Sequence, residues 1–313
     1  MISFSTHLNG MDPNTGYGYA GQHIVRVLGR LQDKVPFNSP DCSVLLNYTQ
    51  PSEYHKYKDQ YSIGYTCWES TVLKPGWKKM MSYMDEIWTP SPLVATWFKN
   101  SGVEPPIYVV EHGVEHMWMP VLRKPGAGSN RPLKFLHVGE PAPRKSGQMV
   151  VDVFTELFGN NKDYQLTIKA DGYNTTRSNP VSGVLGPPND FYSNIKLITD
   201  RLEIGELLRL YQSHDVLVYP SFGEGFGFIP LQAMATGMPV ILNTSWCPYE
   251  RFSVGLEIED FLAISPWQEM HPGSMYHPSR QSLRKQMQEV ACNFEYYAKK
   301  AFFLAPKVHQ EYD

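Results

Sequence analysis

The densest chemistry in the 313-residue sequence lies between Asp215 and Ile241. An apolar run ends at Pro220, and a loop follows with Gly223, Gly225 and Gly227 around a single acid, Glu224. A helix-forming stretch then opens with Pro230 in its first turn and closes at Gly237. Glycines let the backbone come close to a bound molecule, and the amides at a helix start favour an anion such as a diphosphate. Glu224 stands at the mouth of such a site. The plainer alternative is a tight strand-to-helix connection that binds nothing, but glycines, acid and helix start coincide. A second glycine pattern, Gly16-Tyr17-Gly18-Tyr19-Ala20-Gly21, has the form GxGxxG. A dinucleotide site would also want an acid about 20 residues further on. The next strand ends at Asn47-Tyr48 instead, so the pattern is either a ligand-approaching loop or a structural turn.

Alternating strand-like and helix-like stretches must position these residues, which implies α/β architecture. Strands are expected at Ile2–Leu8, Ser43–Tyr48, Ser62–Thr66, Glu86–Thr89 and Ile107–Val110. Helices are expected on the face Ala20, Ile24, Val27, Leu28, Leu31, and at Lys74–Tyr83 and Pro92–Asn100. Pro120–Pro132 holds three prolines, two glycines and three basic residues with little to bury, the composition of a linker. The pattern then restarts, with strands at Leu133–Val138, Leu166–Ala170, Ile195–Ile198, Val216–Tyr219 and Val240–Asn243. Between them come helices at Gly147–Phe158, Glu203–Ser213 and Ile229–Ala235, and a last helix at Ser282–Leu304. Asp171–Tyr192, rich in Gly, Pro, Asn and Ser, reads as a long surface loop. Two such series imply two Rossmann-like, doubly wound parallel sheets, with a shared ligand in the cleft between them. The expected division is 1–118, a linker at 119–132, 133–281, and a terminal segment 282–313.

With these elements in place, several motifs match one family in order. Glu224-Gly225-Phe226-Gly227, with Gln232 eight residues after the acid, resembles the EX7E signature of GT4-type retaining glycosyltransferases of the GT-B fold. Tyr65-Thr-Cys-Trp-Glu-Ser, Pro75-Gly-Trp, Met84-Asp-Glu-Ile-Trp-Thr-Pro-Ser and Val109-Val-Glu-His-Gly-Val-Glu are similar to its first-domain pattern. Phe135-Leu-His-Val-Gly-Glu-Pro-Ala-Pro-Arg-Lys-Ser-Gly is similar to the first strand and phosphate loop of its second domain. The resemblance implies a transferase that moves a sugar from a UDP- or GDP-sugar to an acceptor hydroxyl, with retention and without a metal or cofactor. Glu224 then contacts the donor sugar near the reacting carbon, and Lys145 lies on the donor diphosphate. Gln232 replaces the acid that binds the ribose, and keeps hydrogen bonding without charge. Gly225, Phe226, Gly227 and Phe228 complete the donor loop, and Gly16 and Gly18 approach the diphosphate or acceptor from the first domain. The family often has an arginine after the glycine at 139. Here Glu140 stands there, and Arg144 is expected to supply the cation. The terminal helix would cross back to the first domain.

The chemistry fits these residue types. As the bond to the anomeric carbon breaks, charge grows on the leaving diphosphate, and Arg144, Lys145 and the amides from Gly225 to Phe228 can stabilise it. The chain has no Asp-x-Asp pair to hold a metal. His112 either lines the cleft or satisfies backbone groups, and Glu69 either accepts from an acceptor hydroxyl or is a surface carboxylate. His7 is a further cleft candidate, whereas His137 reads as structural. Tyr17 and Tyr19 are candidates for stacking on a sugar or base.

Composition bounds the partners. Hydrophobic residues make up 42% and charged residues 19%, a globular balance. A net charge of −3 rules out a uniformly basic nucleic-acid coat. Lys56, Lys58, Lys74, Lys78, Lys79 and Lys99 lie among Asp59, Asp85 and Glu86, which favours a solvated face. Cys42, Cys67, Cys247 and Cys292 show no CxxC spacing, as expected of a reducing compartment. No run is long enough to span a bilayer and no leader is visible, so a cytoplasmic protein is expected. The acceptor is a glycan, a protein or a modified nucleic-acid base, as in phage-type DNA glycosylation. Two alternatives stand beside this: a nucleotide-sugar-binding protein with weak or no turnover, and a nicotinamide-dependent oxidoreductase resting on GxGxxG.

Overall fold

A computed structural model describes residues 1–6, 11–12, 15–124, 131–171 and 192–312. His7 and most of the glycine-rich stretch 171–192 lie outside the described residues. The chain divides into two compact units. The first is Met1–His112 with Gln268–Ser274, and the second is Gly113–Trp267 with Met275–Asp313. The leading segment of the first unit thus ends at His112, where 118 was expected.

The first unit is built on a parallel sheet of β1 (Ile2–Ser5), β2 (Val44–Tyr48), β3 (Tyr61–Tyr65), β4 (Glu86–Thr89) and β5 (Ile107–Val109). They lie in the order β1-β2-β3-β4-β5, so this sheet steps one way only. It has no reversal of strand order and hence no switch point of the kind that seats ligands in doubly wound sheets. The connections carry α1 (Gly16–Leu31), α2 (Trp77–Met81) and α3 (Pro92–Asn100). Thr15 caps α1, its hydroxyl accepting from the Gly18 amide at 2.9 Å. Pro75-Gly76 delays α2 to Trp77, because Gly76 sits at φ +83. A distant segment completes the unit: the Thr71 amide donates to the Ser274 carbonyl at 3.1 Å, and the Ser274 amide to Thr71 Oγ1 at 2.9 Å.

The second unit holds β6 (Leu133–Val138), β7 (Tyr164–Lys169), β8 (Ile195–Ile198), β9 (Val216–Tyr219) and β10 (Val240–Leu242). All are parallel, in the order β10-β9-β6-β7-β8, which reverses between β6 and β9. Around it lie α4 (Gly147–Phe158), α5 (Ile204–Gln212) and α6 (Phe228–Ala235). A small two-stranded sheet pairs β11 (Asp260–Ile264) with β12 (Ser274–Pro278). Phe135, Leu166, Val216 and Ile241 from the sheet meet Val150 and Phe154 of α4 in one buried core. Burial of this apolar area is the main stabilising term. The terminal stretch, expected as one helix, is two: α7 (Arg280–Cys292) and α8 (Phe294–Tyr312). Both belong to the second unit, where α7 packs on α4 and α8 on α6.

The expected linker is not a loose tether before residue 125. Val121 donates to the Thr236 carbonyl at 3.0 Å, and Trp118 is fully buried against Tyr211. Arg123 is buried and spends its guanidinium on main-chain carbonyls. It donates to His214 O (2.7 Å), Tyr211 O (3.0 Å), Thr236 O (2.7 Å) and Val121 O (3.1 Å). Tyr211 and Thr236 end α5 and α6, so one cation satisfies the open carbonyls of two helix C-termini. Burial pulls Arg123 down to about 10, where it remains charged at neutral pH. Among the described residues no helix is long and apolar enough to cross a membrane.

Candidate functional site

The reversal between β6 and β9 places two loops side by side beyond the C-terminal strand ends, where open α/β sheets bind ligands. The loop after β6 carries Arg144 and Lys145, and the loop after β9 carries Ser221 and Glu224. The Phe222 amide donates to the Arg144 carbonyl at 2.9 Å, which stitches the loops together. The β9 loop is held from below as well: Trp246 Nε1 donates to Ser221 O at 2.9 Å, and Tyr249 OH to Gly227 O. Gly227 sits at φ +88, and a Cβ there would lie 2.6 Å from Tyr249 OH and 2.8 Å from the Trp246 ring. Only glycine meets both demands.

The loops bring Arg144, Lys145 and Glu224 into one buried network. Glu224 Oε1 accepts from Lys145 Nζ at 2.6 Å, Ser221 Oγ at 2.6 Å and Tyr219 OH at 2.8 Å. Its Oε2 faces Arg144 Nη1 at 3.0 Å. Arg144 Nη1 also donates to Gly223 O at 2.6 Å, and Lys145 Nζ to Tyr219 OH at 2.7 Å. Burial alone would raise the Glu224 carboxyl, but Arg144 and Lys145 hold it at about 2. Burial and the neighbouring Arg144 pull Lys145 down, against the attraction of Glu224. Two cations thus stand over one anion, with the first turn of α6 opening just beyond. Such a group can receive a further anion of diphosphate type.

The remaining donor-loop candidates fall around this group. Glu140 is turned outward: its side chain is 52% exposed and meets Arg144 Nη2 at 3.4 Å, so it does not crowd the cations. Phe226 is buried against Phe228, Tyr249 and Tyr312, so its ring is packing and its backbone is what the loop offers. Gly225 lies buried between Glu224 and Phe226. Gln232 is buried on α6. Tyr219 and Ser221 were not among the candidates read from the sequence. The available signal was a lone phenol ending an otherwise apolar run.

In the first unit the candidates separate. Gly16 opens α1 with space around it, whereas a side chain at Gly18 would run into the Asp12 backbone. Gly18 therefore serves a close chain approach. His112 stacks on Tyr65, with its Nδ1 3.1 Å from Tyr65 OH and its Nε2 3.5 Å from Tyr48 OH. Loss of water, and then the charge of His23, push it down to about 3, so the ring is neutral at physiological pH. Tyr17 OH meets Thr66 Oγ1 at 2.8 Å and its ring lies 5.4 Å from Tyr48, while Tyr19 packs on His23. The C-terminal ends of β2 and β3 thus carry a phenol and imidazole cluster, of which Tyr48 and Tyr65 were not singled out. Glu69 stands in a different network, 3.5 Å from His271 Nδ1 in the returning segment. His137, read as structural, donates from Nδ1 to the Val218 carbonyl at 2.9 Å inside the second sheet. Among the described residues no group of three or more His, Cys, Asp or Glu side chains could hold a metal ion.

Comparison with known proteins places this geometry. The family model described as Glycosyl transferases group 1 matches residues 132–250, which include both loops. No curated protein matches the sequence. Among solved structures, TarM superposes with a TM-score of 0.63 at 13% identity, covering 92% of this chain and 55% of TarM. WaaG, a glycosyltransferase involved in lipopolysaccharide biosynthesis, gives 0.59 at 11% identity, covering 98% of this chain and 95% of WaaG. Sucrose-phosphate synthase from Thermosynechococcus elongatus gives 0.60 at 14% identity, covering 93% and 73%. The chain thus spans little more than half the length of TarM. These likenesses establish the fold, which is α/β of the GT-B type with two Rossmann-like parallel-sheet units.

Proposed function

We propose that the protein is a glycosyltransferase that takes a sugar from a UDP- or GDP-sugar and places it on an acceptor hydroxyl. The observation that carries the reading is the buried Arg144–Lys145–Glu224 group at the strand-order reversal, inside the segment matched by the family model. In this reading Arg144 and Lys145 receive the diphosphate and stabilise its charge as the anomeric bond breaks. The amides opening α6 add to that field. The Glu224 carboxylate, ionised at any physiological pH, faces the sugar as it becomes oxocarbenium-like. Gln232 binds the ribose hydroxyls through its amide. The transfer is of GT4 type, with retention of configuration and without a metal. The acceptor is a glycan, a protein or a modified nucleic-acid base.

The test is a thermal-shift panel of UDP- and GDP-sugars followed by donor hydrolysis. A ligand that binds the folded state raises the melting point by mass action. One donor class should stabilise the protein and be slowly hydrolysed, and Glu224→Ala should abolish the hydrolysis. No shift with any nucleotide sugar would overturn the reading. A shift without hydrolysis or transfer would instead favour a nucleotide-sugar-binding protein, the reading that the uncharged Gln232 supports.

A further inference from the structure

We infer that Tyr219 is a positioning residue for donor binding: its hydroxyl aims the Lys145 ammonium at the diphosphate while holding Glu224 beside it. The inference rests on the donor-site reading above. Tyr219 is the last residue of β9, in register with Leu242 of β10, and its ring is 1% exposed. His137 stacks near it at 6.3 Å and Trp246 stands edge-on at 6.1 Å. The sheet therefore sets where the hydroxyl sits.

That hydroxyl closes a triangle. It accepts from Lys145 Nζ at 2.7 Å and donates to Glu224 Oε1 at 2.8 Å, while Nζ donates to the same Oε1 at 2.6 Å. An ammonium has three protons in tetrahedral directions. Once two are committed, to Tyr219 and Glu224, the direction of the third is determined. The third has no acceptor among the described residues, so it is the proton left for a phosphate oxygen. Without the phenol the ammonium would keep only its bond to Glu224 and could turn about it.

The phenol oxygen also favours ammonium over free amine. The groups that act on Lys145 are Arg144 and Glu140 from its own loop, Glu224 from the facing loop, Tyr219 from β9 and His137 from β6. Burial and Arg144 already pull Lys145 down, so losing an acceptor pulls it further. Ser221 offers an internal control, because it shares Oε1 of Glu224 but does not touch Lys145.

The experiment is calorimetric titration of the full chain with inorganic pyrophosphate and with UDP and GDP, from neutral to alkaline pH. Tyr219→Phe should bind about tenfold more weakly than wild type at neutral pH. Its loss of affinity with rising pH should begin at a lower pH. Ser221→Ala should weaken binding but leave that alkaline limb in place. Tyr219→Phe matching wild type in both affinity and pH profile would overturn the inference, as would an equal limb shift in Ser221→Ala. Should Tyr219→Phe fail to fold, difluorotyrosine at 219 keeps the shape and weakens the acceptor. An unmoved limb there would overturn the inference equally. A wild-type protein that binds none of the probes would remove the donor-site reading itself, an outcome visible before any variant is made.

Discussion

Breaking the Lys145–Glu224 pair from either side should cost different amounts, and the geometry says which side costs more. In Lys145→Ala the Glu224 carboxylate keeps Tyr219 and Ser221 on Oε1 and Arg144 on Oε2. The loss should lie at the low end of the range for a broken buried pair, about 3 kcal/mol. In Glu224→Ala, Arg144 and Lys145 remain as buried like charges, and the nearest remaining acid is the outward-facing Glu140 at 3.4 Å from Arg144. That variant should lose about 5 kcal/mol. If the two sites were independent, the double variant would lose the sum. Because removing Lys145 relieves what Glu224→Ala creates, the double variant should recover about 3 kcal/mol of that sum. Urea denaturation of the four proteins, followed by tryptophan fluorescence, measures the cycle. Pyrophosphate supplies a second readout: it should raise the melting point of Glu224→Ala more than that of wild type, because it replaces the missing counter-anion. Under the proposed function, Lys145→Ala should also lose about 10²-fold in turnover or donor affinity. Additive single effects, together with no response of Glu224→Ala to pyrophosphate, would refute the reasoning.

Further predictions concern Arg123, two buried histidines, the acid limb of Glu224 and Gly227. Arg123→Ala should destabilise the protein by about 3 kcal/mol, because it uncovers buried carbonyls at the ends of α5 and α6; a urea midpoint within error of wild type would contradict this. His137 and His214 are both held neutral by burial at about 4, below the usual 6.5, so the unfolded chain takes up protons that the folded one refuses. Stability should therefore fall as pH drops from 6.5 to 5.5, by about 2 kcal/mol for the pair, and melting curves across that window should show a fall about 1 kcal/mol smaller in His214→Gln. Glu224 acts in a separate, more acidic window: its contribution is complete above its ordinary value near 4.5 and is lost as pH falls toward 2. Gly227→Ala should lower both the melting point and the response to nucleotide sugars, since a Cβ there meets Tyr249 and Trp246; an unchanged thermal-shift response would show that the loop has room to give.

Much of the architecture was legible because apolar runs and breakers are local signals. The strands at Glu86–Thr89, Leu133–Val138, Ile195–Ile198 and Val216–Tyr219 and the helices at Pro92–Asn100 and Gly147–Phe158 coincide with the sequence expectation. The grouping of Arg144, Lys145 and Glu224 was expected from the family resemblance, and the structure brings the three together because their loops follow the neighbouring strands β6 and β9, where strand order reverses. What stayed hidden depends on contacts between distant residues. Glu69 finds His271, about two hundred positions away, and nothing in its neighbourhood announces that partner. Arg123 sits in a proline-rich stretch that reads as solvated, and its burial makes sense only once α5 and α6 end beside it. The break between α7 and α8 falls within continuous helical apolar spacing, so periodicity alone did not separate them. Tyr219 looked like one more residue of an apolar strand, because its hydroxyl gains meaning only from the loop opposite.

The clamp at Arg123 bears on how the polypeptide can be cut. A fragment starting where the β6 strand starts would look like a complete nucleotide-binding half by sequence pattern. It would discard Trp118 and the guanidinium that closes two helix ends, and it would expose the Tyr211 ring face that Trp118 covers. A truncation intended to isolate that half should therefore begin near Gly113, and one begun at Leu133 should aggregate or report a falsely low melting point for the half it was meant to represent.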